Sequence, residues 1–242
     1  MNRKLVYSVL AALILIAGVY GAVNKQSYRR DSQSPGFYDS CYVGCLIEEL
    51  VGTACDSMRQ DLPTSNIILR VEPRDGLENG FMSSRQRFLV KEVFKGDTKL
   101  CGKEIYLTSS GWFVSPREEE WSTRDIIERD FVNIPQEGRD YLVFVDCLVD
   151  LRDSNAVQTF QVDDFYTFSK FIFSPLFCYD DIDNIVCDDF VKESTYVLYS
   201  KVSGNEFFAV NEQSLDKMTA LKKEMISMYP AGSGYTVPAA GN

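Results

Sequence analysis

Histidine is missing from all 242 residues. Its absence removes the Ser-His-Asp and Cys-His mechanisms, histidine-ligated zinc and the usual general base near neutral pH. No two cysteines stand as a C-x-x-C pair, so neither a zinc ribbon nor a thioredoxin-like redox motif is written in the chain. Asn-x-Ser/Thr sequons are lacking, which implies no glycan role, and no internal repeat is visible. Positive charge is scarce: 25 Lys and Arg face 35 Asp and Glu, for a formal net charge of −10. A field of that sign repels phosphate backbones and favours solubility, so nucleic acid is not an expected partner.

What is present first is an uncharged run. Arg3 and Lys4 precede Leu5–Val23 (LVYSVLAALILIAGVYGAV). As a helix this run is roughly 28 Å long, against about 30 Å for a bilayer core. It predicts an N-terminal transmembrane helix over 1–23 and a membrane partner through residues 5–23. The run exceeds the roughly 7–15 apolar residues of a signal peptide, and cleavage after Ala22 would put Tyr20 at a recognition position. An uncleaved anchor is therefore expected; the alternative is secretion after cleavage. Arg3 and Lys4 on one flank are balanced by Lys25, Arg29 and Arg30 on the other, so charge does not orient the segment.

Seven cysteines follow: Cys41, Cys45, Cys55, Cys101, Cys147, Cys178 and Cys187. The first three cluster beyond a polar tether (24–40). Cys178 and Cys187 bracket a short acidic loop, as a hairpin disulfide would. An oxidising, extracytoplasmic compartment makes sense of both groups, with one thiol left over. Buried reduced thiols in a cytosol-facing protein are the alternative.

With 45% hydrophobic and 13% aromatic residues, the remainder is a folded domain, expected over 41–229. Apolar spacing predicts a helix within Tyr42–Met58. Strands are expected at Asn66–Glu72, Arg87–Lys95, Glu104–Thr108, Asp140–Cys147, Val157–Val162, Phe168–Phe173, Thr195–Val202 and Glu206–Val210. Ser203-Gly204-Asn205 is the turn between the last two. Ser122 or Thr123 would cap a short helix through Phe131. Leu215, Met218, Leu221, Met225 and Met228 mark a C-terminal amphipathic helix with Ser214 at its start. The tail 230–242 is expected to be disordered. The fold class is α+β and strand-rich: a mixed or antiparallel sheet, or an OB-like barrel, with that C-terminal helix.

Three stretches carry a family likeness: FLVKEVFKGD at Phe88–Asp97, LCGKEIYLTSSG at Leu100–Gly111 and PQEGRDYLVFV at Pro135–Val145. Together they resemble OB barrels of the netrin/metalloprotease-inhibitor type. The resemblance implies a barrel. Inhibitors of that type chelate a protease zinc through a free N-terminal cysteine. Cys41 lies downstream of the apolar run and the tether, so no inhibitory residue carries over.

Other candidates are weaker. Ser214 and Lys217 match S-x-x-K, but the companion S-D-N and K-T-G elements are absent and Ser214 is explained as a helix cap. Asp180, Asp181, Asp183, Asp188 and Asp189 crowd one loop. The first three are the candidate metal ligands and calcium the one cofactor suggested; a solvated acidic loop is the simpler reading. Asp163-Asp164 and Glu118-Glu119-Glu120 supply carboxylates for a glycosidase-like pair. Phe160, Phe165, Tyr166, Phe168, Phe171, Phe173 and Phe177 read as sheet core, and Trp112 and Trp121 as exposed contacts. The chain is thus expected to be a membrane-tethered extracytoplasmic binding protein, non-catalytic, for an unidentified protein or small molecule. The alternatives are a protease-inhibitor-like module and a histidine-free carboxylate hydrolase.

Overall fold

The structure, a computed structural model, describes residues 3–31, 36–80, 83–109, 111–115, 125–149, 157–162, 174–190 and 195–237. It divides into two units, Met1–Phe37 and Tyr38–Asn242.

In the first unit a single helix, α1 (Arg3–Asp31), forms through the apolar run and continues into the expected tether. Every residue from Val9 to Gly21 is exposed. Among the described residues no helix is long and apolar enough to cross a membrane, which corrects the expected transmembrane helix. The apolar part is interrupted by Tyr7, Ser8, Gly18, Tyr20 and Gly21 and gives way to Lys25, Arg29, Arg30 and Asp31. The helix is amphipathic along its length rather than apolar throughout.

The second unit is α+β. Its frame is a barrel of five strands, β2 (Ile67–Pro73), β4 (Ser83–Lys95), β5 (Glu104–Ser109), β8 (Tyr141–Val149) and β9 (Thr159–Val162), where β1 is Tyr42–Gly44 and β3 is Glu78–Gly80. The order is β8-β2-β4-β5-β9, closed by β9 pairing back onto β8. β5 and β9 run parallel and the other barrel pairs antiparallel, so the barrel is mixed. Closure depends on β8. Its first half, Tyr141–Val145, is buried between β2 and β10 (Leu176–Cys178). A register shift between Val145 and Cys147 then turns the second half onto β9. The continuous apolar run DYLVFV is what a strand flanked on both sides requires.

Helix α2 (Glu48–Asp61) packs on α4 (Glu212–Met228), both burying apolar faces in the barrel's core cluster. α4 contributes Leu215, Met218, Leu221 and Met225. Its cap is Asn211, not Ser214: Asn211 Oδ1 accepts from the Ser214 N–H at 2.8 Å, while Asn211 Nδ2 donates to Glu48 Oε2 at 2.9 Å.

A second, small sheet has the order β11-β1-β7-β6, with β6 at Phe113–Ser115, β7 at Ile126–Glu128 and β11 at Tyr196–Leu198. It accounts for three departures from the sequence pattern. The helix expected from Tyr42 begins only at Glu48, because Tyr42–Gly44 pairs with β7 and β11. The segment expected to be helical through Phe131 contains strand β7; Ser122 and Thr123 lie outside the described residues. The strand expected over Thr195–Val202 ends at Leu198 and turns into a short helix, α3 (Tyr199–Val202). In place of a hairpin strand, Phe207 and Ala209 make single bridges to Val132 and Leu46. The strand expected at Phe168–Phe173 also falls outside the described residues.

The described part of the expected tail is tied to β4 as far as Tyr235. Val93 and Tyr235 exchange both backbone hydrogen bonds, at 3.0 and 2.9 Å. The N–H groups of Gly232 and Gly234 donate to the buried Glu92 carboxylate at 3.0 and 2.6 Å. A Cβ on Gly234 would stand 2.9 Å from the Val93 carbonyl, so only glycine allows this approach.

Candidate functional site

Strand β7 is short because its sequence changes abruptly. Ile126 and Ile127 are buried, and the chain then reaches Glu128-Arg129-Asp130-Phe131. Asp130 and Phe131 both adopt left-handed backbone, with φ of 54° and 63°. Such conformations cost on the order of 1–3 kcal/mol each away from glycine. Neighbours hold the turn in place. The Phe131 carbonyl accepts from the Phe208 N–H at 3.0 Å, and the Asp130 carbonyl from the Ser174 N–H at 3.2 Å. The Asp130 carboxylate accepts from the Ser174 hydroxyl at 3.3 Å and from the Ser109 hydroxyl at 3.5 Å.

The turn delivers Arg129 into the interior, where it is only 3% exposed. Its guanidinium carbon lies 3.7 Å from the centroid of the Trp112 ring. Trp112 is itself fully buried and donates its indole N–H to Ser174 Oγ at 2.5 Å. This corrects the expectation that Trp112 is an exposed contact. Among the described residues Nε, Nη1 and Nη2 of Arg129 all lack a hydrogen-bond partner. Burial pulls the guanidinium down to about 9, with the Asp130 charge opposing that fall. It therefore stays charged at neutral pH.

The tyrosines around it do not neutralise that charge. Tyr38 and Tyr199 meet edge to face, with centroids 6.3 Å apart. Burial raises Tyr38 and pushes Tyr199 up to about 12, so both remain protonated. The Tyr199 hydroxyl donates to Asn133 Oδ1 at 3.0 Å, and Asn133 is anchored by donating to the Asn205 carbonyl at 2.6 Å. Beside this cluster lies a cavity of about 60 Å³ lined by Gly44, Ile127, Glu128, Arg129, Asp130, Phe131 and Phe208.

Packing against the turn is tight. A Cβ at Gly111 would overlap Asp130 Oδ1 and stand 2.7 Å from Oδ2. Gly111→Ala is expected to push the carboxylate off Ser109 and Ser174 and to cost about 1–3 kcal/mol in denaturant unfolding. An unchanged midpoint would show that the Asp130 contacts contribute little.

The residues singled out by sequence do not converge here. Asp180, Asp181 and Asp183 follow β10, and the Asp180 carbonyl accepts from Lys222 Nζ at 2.7 Å. Among the described residues no three His, Cys, Asp or Glu side chains are gathered to hold a metal ion. Ser214 Oγ is buried without a hydrogen-bond partner among the described residues, and Lys217 Nζ lies against Gly52 of α2, so S-x-x-K makes no serine–lysine pair. No two of the seven cysteines are joined by a disulfide. Cys178 and Cys187 are not joined: Cys178 sits in β10 against β8, while the Cys187 N–H donates to the Ala209 carbonyl at 2.8 Å. Phe160 and Phe177 are buried core, as expected. Glu118, Glu119, Glu120, Trp121, Asp163, Asp164, Phe165, Tyr166, Phe168, Phe171 and Phe173 lie outside the described residues.

Arg129 was not legible as a site. Within IIERDF it reads as one charge in a polar stretch, and only the Ile-Ile pair before it signals an approach to the core. No protein-family model matches the chain, and no curated protein matches it.

Proposed function

We propose that this chain is a membrane-held binding protein whose site is the Arg129 cluster and whose ligand presents an anionic group there. One observation carries this reading: a buried, charged guanidinium whose three nitrogens have no hydrogen-bond partner among the described residues. A buried charge without hydrogen bonds costs several kcal/mol, and an anion that forks onto it would recover much of that. The group is a cation at neutral pH, neither nucleophile nor base, which favours binding over catalysis.

The closed barrel with β5 parallel to β9 supports an OB-like reading, in keeping with the netrin-type likeness. A protease-inhibitor role gains nothing from Cys41, which is buried with its backbone N–H donated to the Tyr38 carbonyl at 2.9 Å. The membrane part rests on α1, whose Leu13, Ile14 and Leu15 are 60, 66 and 69% exposed and need an apolar cover. In this reading the barrel faces an extracytoplasmic compartment.

Thermal melting in acetate and in phosphate, at constant ionic strength, tests the site. Stability should climb with anion concentration as mass action requires, and the gain should fade as the pH rises through about 9, where Arg129 loses its proton. Equal gains in wild type and Arg129→Met would reject it. For the membrane part, the full chain should float with phospholipid vesicles and the Ile14→Lys/Ile16→Lys variant should not; equal flotation would remove α1 from the account.

A further inference from the structure

Two thiols outside the Arg129 cluster lie in contact. Cys45 follows β1, and its N–H donates to the Thr195 carbonyl at 2.8 Å. Cys187 closes the acidic segment after β10. The two segments flank the same stretch of chain. On one edge, the Leu46 N–H donates to the Phe208 carbonyl at 2.7 Å and the Val210 N–H to the Leu46 carbonyl at 3.1 Å. On the other, Cys187 bonds Ala209, and Asn184 Oδ1 accepts from the Glu206 and Phe207 N–H groups at 2.6 and 3.1 Å. Ala209, on that shared stretch, is fully buried. The Cys45 and Cys187 side chains, each 1% exposed, hydrogen-bond each other.

We propose that Cys45 and Cys187 form a disulfide when the chain folds in an oxidising compartment, tying the end of β1 to the acidic segment. Each thiol gives up one proton and one electron as the S–S bond forms. The two electrons reduce the S–S bond of an oxidant of the glutathione-disulfide class to two thiols. Once the pair is buried, Cys187 and the surrounding apolar packing hold the Cys45 thiol protonated, and a thiol in that state does not attack a disulfide. The bond therefore forms before the core closes. The bridge encloses most of the second unit, and cross-links across long loops constrain the unfolded chain most. It differs from the Cys178–Cys187 hairpin that the sequence suggests, because β10 holds Cys178 on β8.

The test refolds the reduced full-length chain, in detergent, from denaturant into a mixture of reduced and oxidised glutathione. Remaining thiols are alkylated, and the chain is digested without reduction for mass spectrometry. The expected result is one dominant cross-linked peptide joining Cys45 to Cys187. Melting should lie roughly 5–10 °C above that of the reduced protein. Cys178→Ser should keep both the cross-link and the gain, and Cys187→Ser should lose both. A dominant Cys178–Cys187 peptide, or recovery of Cys45 and Cys187 as alkylated thiols from folded protein, would overturn the proposal.

Discussion

Lys222→Met is expected to destabilise the folded chain by about 3–5 kcal/mol in urea unfolding near neutral pH. Lys222 lies on α4 with 6% of its side chain exposed, and its partner Glu206 with 3%. The ammonium donates to Glu206 Oε2 at 2.5 Å and to the Asp180 carbonyl at 2.7 Å. Glu206 Oε1 accepts from the Cys178 N–H at 2.7 Å. One lysine thus joins α4, the end of β10 and the chain leading to Ala209. Methionine keeps the packing but strands a buried carboxylate. Burial raises the Glu206 carboxyl above its ordinary value, and Lys222 is the main force holding it down. Without the lysine it rises further. A carboxyl raised in the folded state favours folding below its unfolded value, and that contribution is lost as the pH rises through the folded value. The deficit of Lys222→Met should therefore shrink on mild acidification, and Glu206→Gln/Lys222→Met should recover most of it. A loss under about 1 kcal/mol, or one that does not change with pH, would mean the pair is more hydrated than its burial indicates.

Arg129→Met is expected to act in the opposite direction, raising stability by about 1–4 kcal/mol while abolishing the anion dependence. Stacking on Trp112 returns up to roughly 2 kcal/mol, less than the desolvation of an unpaired guanidinium. The pH dependence fixes the sign. A cation whose folded value falls to about 9 binds its proton less tightly folded than unfolded, so wild-type stability rises with pH above about 9 as the burial cost is relieved. The advantage of Arg129→Met should be full at neutral pH and narrow above about 9. A variant several kcal/mol less stable than wild type would identify Arg129 as structural.

Barrel strands announce themselves locally. RFLVKEVFK alternates, EIYLT follows a turn, and DYLVFV is apolar enough for a strand enclosed on both sides; each lies within its observed strand or nearly so. The amphipathic spacing of α4 is likewise local. The small sheet is not. β1, β6, β7 and β11 are three residues long each, too short for a period to show, and gain their identity from partners distant in the chain. Arg129 and Lys222 share that difficulty. Charged residues are presumed solvated unless the fold buries them, and the burying groups here, Trp112 and Glu206, are separated from them in sequence. The cysteines show the same limit. Spacing favoured Cys178 with Cys187, whereas pairing through Ala209 brings Cys45 to Cys187 instead.

Among the described residues the Arg129 guanidinium stacks on Trp112 beside the Asp130 charge but has no hydrogen-bond partner, and in this reading it gains one when an anion binds. The most direct measurement is a nitrogen-15 NMR titration of the Arg129 side chain in the full-length protein, adding acetate at constant ionic strength. The Arg129 Nε–H signal should move saturably while the signals of surface-paired Arg59 and Arg87 stay in place. An Arg129 signal that does not respond, or that already shows a strong hydrogen bond before acetate is added, would contradict it.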